Sequence, residues 1–171
     1  MKSSRSVSVS SIALCALFQV AASALHAQAP VITPLPRIVG TWKLNPEKSN
    51  LRVPPNHVEI RQYRLRPDGY LVGLLITTDA QGFYHYLQFT AKSDGIDYPE
   101  YTEALLADTV AAGKPTPRTY SEKAVDDYTT DWTDKVDGKV TSRGLKIVSK
   151  DGKTLTVTVA GSSQVKIYDR Q

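Results

Sequence analysis

The stretch Leu145-Lys146-Ile147-Val148-Ser149-Lys150-Asp151-Gly152-Lys153-Thr154-Leu155-Thr156-Val157-Thr158 decides the fold. Two runs rich in Val, Ile, Leu and Thr flank Asp151-Gly152, the composition of an antiparallel hairpin. Similar runs recur between turn signals at Pro67-Asp68-Gly69, Asp79 to Gly82, Asp94-Gly95 and Asp137-Gly138. Short strands at such even spacing imply an all-β chain whose antiparallel sheet closes on itself or packs as a sandwich.

Register follows from the pairing that gathers apolar residues on one face, because a one-residue slip sends the whole set to the other side. A three-residue Lys150-Asp151-Gly152 loop opposes Ile147 to Leu155 and Leu145 to Val157, which gathers more apolar residues than pairing Ile147 with Thr156. A two-residue Asp137-Gly138 turn opposes Trp132 to Arg143 and Tyr128 to Ile147, and a Gly161-Ser162-Ser163 loop opposes Ile167 to Val157. Earlier loops, including a four-residue Asp79 to Gly82 loop, oppose Ile60 to Ile76, Gln62 to Leu74, Leu74 to Leu87, Ile76 to His85 and Val72 to Phe89. The expected interior holds Tyr128, Trp132, Arg143, Leu145, Ile147, Leu155, Val157, Val165 and Ile167 from the later strands. From the earlier strands it takes Val58, Ile60, Gln62, Arg64, Val72, Leu74, Ile76, Phe83, His85, Leu87 and Phe89. Tyr63, Leu65, Leu71, Leu75, Tyr84 and Tyr86 make a second fairly apolar face, so the reversed assignment stays open in that half.

The start of the chain reads as a signal for export. Lys2 and Arg5 precede an apolar stretch from Ile12 to Ala24, followed by Ala27-Gln28-Ala29, the three parts of a secretory signal peptide. The leader spans residues 1–29, with cleavage after Ala27 or Ala29; Pro30 disfavours the second. A lead-in over residues 30–37, carrying Pro30, Pro34 and Pro36, then runs into a domain over residues 38–171. Cys15 is the only cysteine and lies in the leader, so the exported domain is expected to have no disulfide and no cysteine-ligated zinc. Without Lys2 and Arg5, 19 basic residues face 17 acidic ones, and their alternation along the chain argues against nucleic acid as a partner. No later stretch approaches the ~20 apolar residues of a helical membrane span, so a periplasmic or secreted protein without an integral membrane segment is expected. Between Pro99 and Pro117, residues Tyr101 to Ala112 lose strand alternation, and Gly113 and Pro115 end them. This segment is expected to be one short helix or a lid laid across the sheet.

Gly40-Thr41-Trp42-Lys43-Leu44-Asn45 is similar to the Gly-x-Trp opening of lipocalins and their calycin relatives. With Lys48-Ser49, Phe89-Thr90-Ala91-Lys92, Asp94-Gly95, Asp97-Tyr98-Pro99, Val148 to Thr158 and the ending Tyr168-Asp169-Arg170-Gln171, the chain resembles small exported bacterial lipocalin-like proteins. The insertion over residues 100–117 departs from that pattern. The resemblance implies an antiparallel up-and-down β-barrel with an internal cavity and, by analogy, small-molecule binding, with Trp42 packed across the closed end. It brings no catalytic residues.

The candidate ligand-binding wall is Gln62, Leu74, His85, Leu87, Phe89, Trp132 and Arg143. Arginine under aromatic and aliphatic walls can fix an anionic head group. His85, among Ile76, Leu87 and Phe89, is the one candidate acid or base. No serine triad is present, and His57 has no partner at metal-ligand spacing. Asp126, Asp127, Asp131 and Asp134, near Glu122, lack a calcium loop and read as a solvated outer face. The expected function is binding of a small apolar or amphipathic ligand, with no metal and no cofactor. The alternatives are an isomerase, cyclase or hydratase that uses His85, and a filled barrel acting through its surface as an envelope interaction module.

Overall fold

A computed structural model describes residues 36–104, 113 and 115–171. The described chain is all-β. Ten antiparallel strands form a closed barrel in which each strand pairs with the next in sequence and the last returns to the first. They are β1 (Gly40–Leu44), β2 (Glu59–Leu65), β3 (Leu71–Thr78), β4 (Tyr84–Ala91), β5 (Tyr98–Thr102), β6 (Arg118–Ala124), β7 (Thr129–Val136), β8 (Lys139–Val148), β9 (Thr154–Thr158) and β10 (Val165–Arg170). The expected leader and nearly all of the lead-in fall on residues 1–35, outside the described residues. So does most of the expected helix or lid; within the described part, Tyr101 and Thr102 belong to β5.

Closure depends on the first strand. Gly40 has φ of +141°, and a side chain there would meet the Arg170 guanidinium, so the position calls for glycine. Arg170 lies 4.1 Å over the Trp42 ring and donates to the carbonyls of Val39, Arg37 and Gly152. Trp42 is fully buried and donates through Nε1 to the Ile38 carbonyl at 2.8 Å. One cation thus ties the entry of β1 to the end of β10 and the β8–β9 turn. At the other end of β1, Asp169 accepts from Asn45 Nδ2 at 2.7 Å and Lys48 Nζ at 2.8 Å, and the Ser49 hydroxyl donates to the Asn45 carbonyl.

The β2–β3 register is the expected one, with Ile60 opposite Ile76 and Gln62 opposite Leu74. Its facing is the reversed assignment: Glu59, Tyr63 and Leu71 are buried, whereas Gln62 and Arg64 are exposed. The other registers move by one residue, each for a local reason. Phe83 joins the Asp79 loop, because Asp79 Oδ1 accepts from the amides of Gln81 and Phe83 at 2.9 Å each. Leu75 therefore opposes Leu87 and Gly73 opposes Phe89, while Phe83 is exposed. The Asp137-Gly138 turn forms as expected, but a bulge comes after it: Lys135 pairs with Val140 and Asp134 with Ser142, leaving Thr141 as the extra residue. Trp132 then opposes Gly144 instead of Arg143. The β8–β9 loop takes four residues, closed by Ser149 and Thr154, so Ile147 opposes Thr156 and Val148 opposes Leu155. In β10, Lys166 rather than Ile167 opposes Val157.

These shifts turn β8 over. Lys146 and Val148 are buried, and Arg143 and Leu145 are exposed. The apolar core consists of Trp42, Leu44, Tyr63, Leu71, Phe89, Ala91, Tyr120, Trp132, Val148, Leu155, Val157 and Tyr168, with Ile38 closing one end. The Phe89 ring occupies the space a side chain at Gly73 would need, and it stacks on Tyr120 at 3.8 Å between centroids. Gly73→Ala is expected to destabilise the protein by about 1–3 kcal/mol in urea unfolding. Adding Phe89→Leu should cost less than the two single losses summed, because the smaller side chain relieves the overlap. Strict additivity of the two would contradict this packing.

Candidate functional site

Alternation brings charged side chains into the barrel. The inward positions of β2, β5, β6, β7, β8 and β10 include four carboxyls, Glu59, Glu100, Glu122 and Asp134, and four cations, Arg61, Arg118, Lys146 and Lys166. Buried charge is tolerated only where partners replace the lost water. Most of these groups satisfy that condition.

Glu59 accepts from Lys166 Nζ at 2.7 Å, from Arg61 Nη2 at 3.4 Å and from the Tyr168 hydroxyl. Arg61 Nε donates to the Tyr168 oxygen at 2.8 Å. Burial would push the Glu59 carboxyl up, but Arg61 and Lys166 hold it below its usual range. In the second group Lys146 Nζ donates to Glu122 Oε2 at 3.0 Å and to the Tyr120 oxygen. The Tyr120 hydroxyl donates to the same carboxyl at 2.6 Å, and Ser93 to its other oxygen at 2.7 Å. The rings of Tyr63, Tyr120 and Phe89 lie 5.0, 5.0 and 5.5 Å from the ammonium, within cation–π range. Burial opposes ionisation of Glu122, yet Lys146 and the two hydroxyls bring its pKa below the usual value. Burial and the Glu122 charge push the Tyr120 phenol far up, so it stays neutral.

The third group is less balanced. Glu100, with a side chain 1% exposed, accepts from Arg118 Nε at 2.8 Å and Nη2 at 2.7 Å through one oxygen. Burial, then the Asp134 carboxyl, raises its pKa to about 7 against the pull of Arg118. Burial also raises Asp134, although Arg118, Lys146 and Arg61 oppose it. Asp134 has no side-chain hydrogen bond or ion pair among the described residues.

Two spaces adjoin these groups. A cavity of about 90 Å³ in the barrel is lined by Arg61, Tyr63, Leu75, Leu87, Phe89, Glu100, Tyr120, Trp132, Asp134 and Lys146, with Leu74 at its border. A cleft of about 630 Å³ at the Trp42 end has Ile38, Leu65, Leu71, Tyr128 and Val148 in its walls. Ser93, Glu122 and Lys146 also face the cleft, and exposed Arg37, Asp126 and Asp127 surround them. Arg37 stacks on Tyr128 at 4.3 Å. Lys146 is common to the cleft and the cavity.

Of the residues expected to bind ligand, Leu87, Phe89 and Trp132 line the cavity and Leu74 borders it. Gln62 is exposed on the outer face because the β2 facing is reversed. Arg143 is exposed because the Thr141 bulge rotates it outward. His85 is also exposed, at the start of β4, where its Nδ1 meets Glu103 at 2.6 Å and its Nε2 meets Asp79 at 3.2 Å. Those two carboxylates raise its pKa, the opposite of the desolvated base expected among apolar neighbours. With Leu74, Ile76, Tyr84, Tyr86 and Gln88 it lines an outer groove of about 350 Å³. Glu122 and Asp134, expected on a solvated face, point inward, whereas Asp126, Asp127 and Asp131 are exposed. Among the described residues no group of three or more His, Cys, Asp and Glu side chains is placed to hold a metal.

Arg61, Tyr63, Glu100, Tyr120 and Lys146 were not among the expected site residues. The usable signal was the alternation of charged residues and tyrosine at every second position, Glu59-Arg61-Tyr63 in β2 and Arg118-Tyr120-Glu122 in β6, a pattern that reads equally well as an outer face. In comparisons with known proteins, no family model, no curated protein and no solved structure matches this chain. The functional reading therefore rests on the geometry.

The third group makes stability depend on pH. Glu100 binds its proton more tightly folded, at about 7, than at its ordinary value of 4.5. Its stabilising contribution is full below about pH 4.5 and is lost as pH rises through 7. Measured against Glu100→Gln by urea unfolding, the native protein should lose on the order of 3 kcal/mol between about pH 4.5 and pH 8. A difference between the two that stays flat, or grows with pH, contradicts this.

Proposed function

We propose that this chain is an exported lipocalin-like barrel that binds a small amphipathic molecule in the cleft at its Trp42 end. One observation carries the reading. The cleft of about 630 Å³ combines apolar walls with a hydrogen-bonded polar group formed by buried Glu122 and Lys146 and exposed Ser93. Sites for small molecules typically span about 300–1,000 Å³ and pair apolar walls with a few fixed polar groups. The apolar part of the ligand lies against Ile38, Leu65, Leu71 and Val148, and its polar end meets the Ser93–Glu122–Lys146 group. The interior cavity is too small for such a ligand.

Export is supported by the leader-like residues 1–29. The resemblance to lipocalin-like proteins is supported by the up-and-down closure, whereas the cleft lies at the Trp42 end, which that resemblance implies is closed. Among the described residues no helix is long and apolar enough to cross a membrane. The outward positions Lys43, Gln62, Arg64, Thr90, Lys123 and Asp131 are exposed and polar, unlike the apolar outer band of a membrane barrel. Catalysis through His85 has little support, since that side chain lies outside both the cleft and the cavity.

Native mass spectrometry of protein isolated from its own host should show a bound small molecule, and fatty acids or aromatic amphiphiles should raise the melting temperature. Ala124 is exposed and lines the cleft, so Ala124→Trp fills it from a surface position. This variant is expected to abolish the ligand and the thermal shift, with apo stability changed by less than ~0.5 kcal/mol. An empty protein that no member of the panel stabilises would contradict the carrier reading and favour a filled barrel acting through its surface.

A further inference from the structure

The cavity of about 90 Å³ is a second space, beyond the cleft. Its polar lining is almost entirely committed. Arg61 is held by Glu59 and Tyr168, Lys146 by Glu122 and Tyr120, and Glu100 by Arg118. Two groups are not. Trp132 is 9% exposed, and its Nε1–H is the one buried side-chain polar atom without a hydrogen bond among the described residues. The Asp134 carboxyl has neither hydrogen bond nor ion pair there. Both residues line the cavity.

Trp132 and Asp134 are two residues apart on β7, so they project to the same face. An uncommitted donor and an uncommitted acceptor therefore stand side by side, opposite the apolar walls of Leu75, Leu87 and Phe89. A buried polar group left unpaired is costly. Charge selects the ligand class: with Arg61, Lys146 and Arg118 nearby and Glu100 and Asp134 opposing them, neither a free cation nor a free anion gains clearly. We propose that this cavity is a binding site for a small neutral primary carboxamide, whose carbonyl accepts from Trp132 Nε1–H and whose NH₂ donates to the Asp134 carboxylate. The volume admits about five non-hydrogen atoms or a few waters. A carboxamide also turns its small apolar end to Leu75 and Leu87, which water cannot do.

The test uses acetamide as the probe and the indole Nε1–H resonances of the full exported domain, with the Trp132 signal assigned by its loss in Trp132→Phe. Acetamide should shift the Trp132 signal saturably with a Kd on the order of 1 mM, leaving the Trp42 signal in place. Acetone, which offers the acceptor and no donor, should bind at least ~10-fold more weakly. Asp134→Ala should weaken acetamide by a similar factor in a protein whose remaining spectrum is unchanged. A linear, non-saturating shift up to about 100 mM overturns the proposal and leaves water as the occupant. Equal affinity for acetone and acetamide overturns it as well. Because Ala124 does not line this cavity, acetamide binding should survive Ala124→Trp, which separates this site from the cleft.

Discussion

The ion pair between Lys146 and Glu122 governs how the rest of the barrel can be arranged. Both side chains are almost fully buried, at 3% and 2% exposure. A lone ion in that position would lose several kcal/mol of hydration. The pair persists because Tyr120 and Ser93 complete the hydrogen bonding of the carboxylate and three aromatic rings surround the ammonium. These partners come from β6, β8, β2, β4 and the loop after β4. A one-residue slip of β6 or β8 would leave a charge without its counterpart, and a slip of β2 or β4 would take a ring from the ammonium, so the pair rewards one register over its neighbours.

That dependence explains which features could be read from the amino-acid order and which could not. The all-β pattern and the turn positions come from local chemistry, and so does the β2–β3 pairing. Faces are harder, because each depends on a single residue at a loop or bulge. Thr141 adds one residue to β8 and Phe83 adds one to the Asp79 loop. Neither changes composition, yet Thr141 inverts the facing of the β8 residues beyond it, and Phe83 shifts the β3–β4 pairing by one residue while β4 keeps its inward face. Gathering apolar residues inside was the wrong criterion for β8, where Lys146 is buried and Leu145 is exposed.

The same inversion accounts for the site. Leu87, Phe89 and Trp132 were legible because large apolar side chains on a strand belong inside. Arg61, Glu100, Glu122 and Lys146 were not, since charges are placed outside unless a partner is known, and most of their partners come from other strands of the sheet. Gln62 and Arg143 are polar residues of the outer face. His85 was set among apolar neighbours by a register that Phe83 displaces, and instead meets Asp79 and Glu103. The spaces left for ligands are the cleft above the Glu122–Lys146 pair and the small cavity below it, with Lys146 in the wall of each.

The most direct measurement is a double-mutant cycle on this pair, using Lys146→Met, Glu122→Gln and the combination, with stability read by urea unfolding. If the two side chains meet inside the barrel, each single variant strands a buried charge and should lose about 3–5 kcal/mol. The double variant should then lose less than the two singles summed, with a coupling above about 2 kcal/mol. Losses below about 0.5 kcal/mol that simply add would place both residues in solvent and contradict the inward register of β6 and β8.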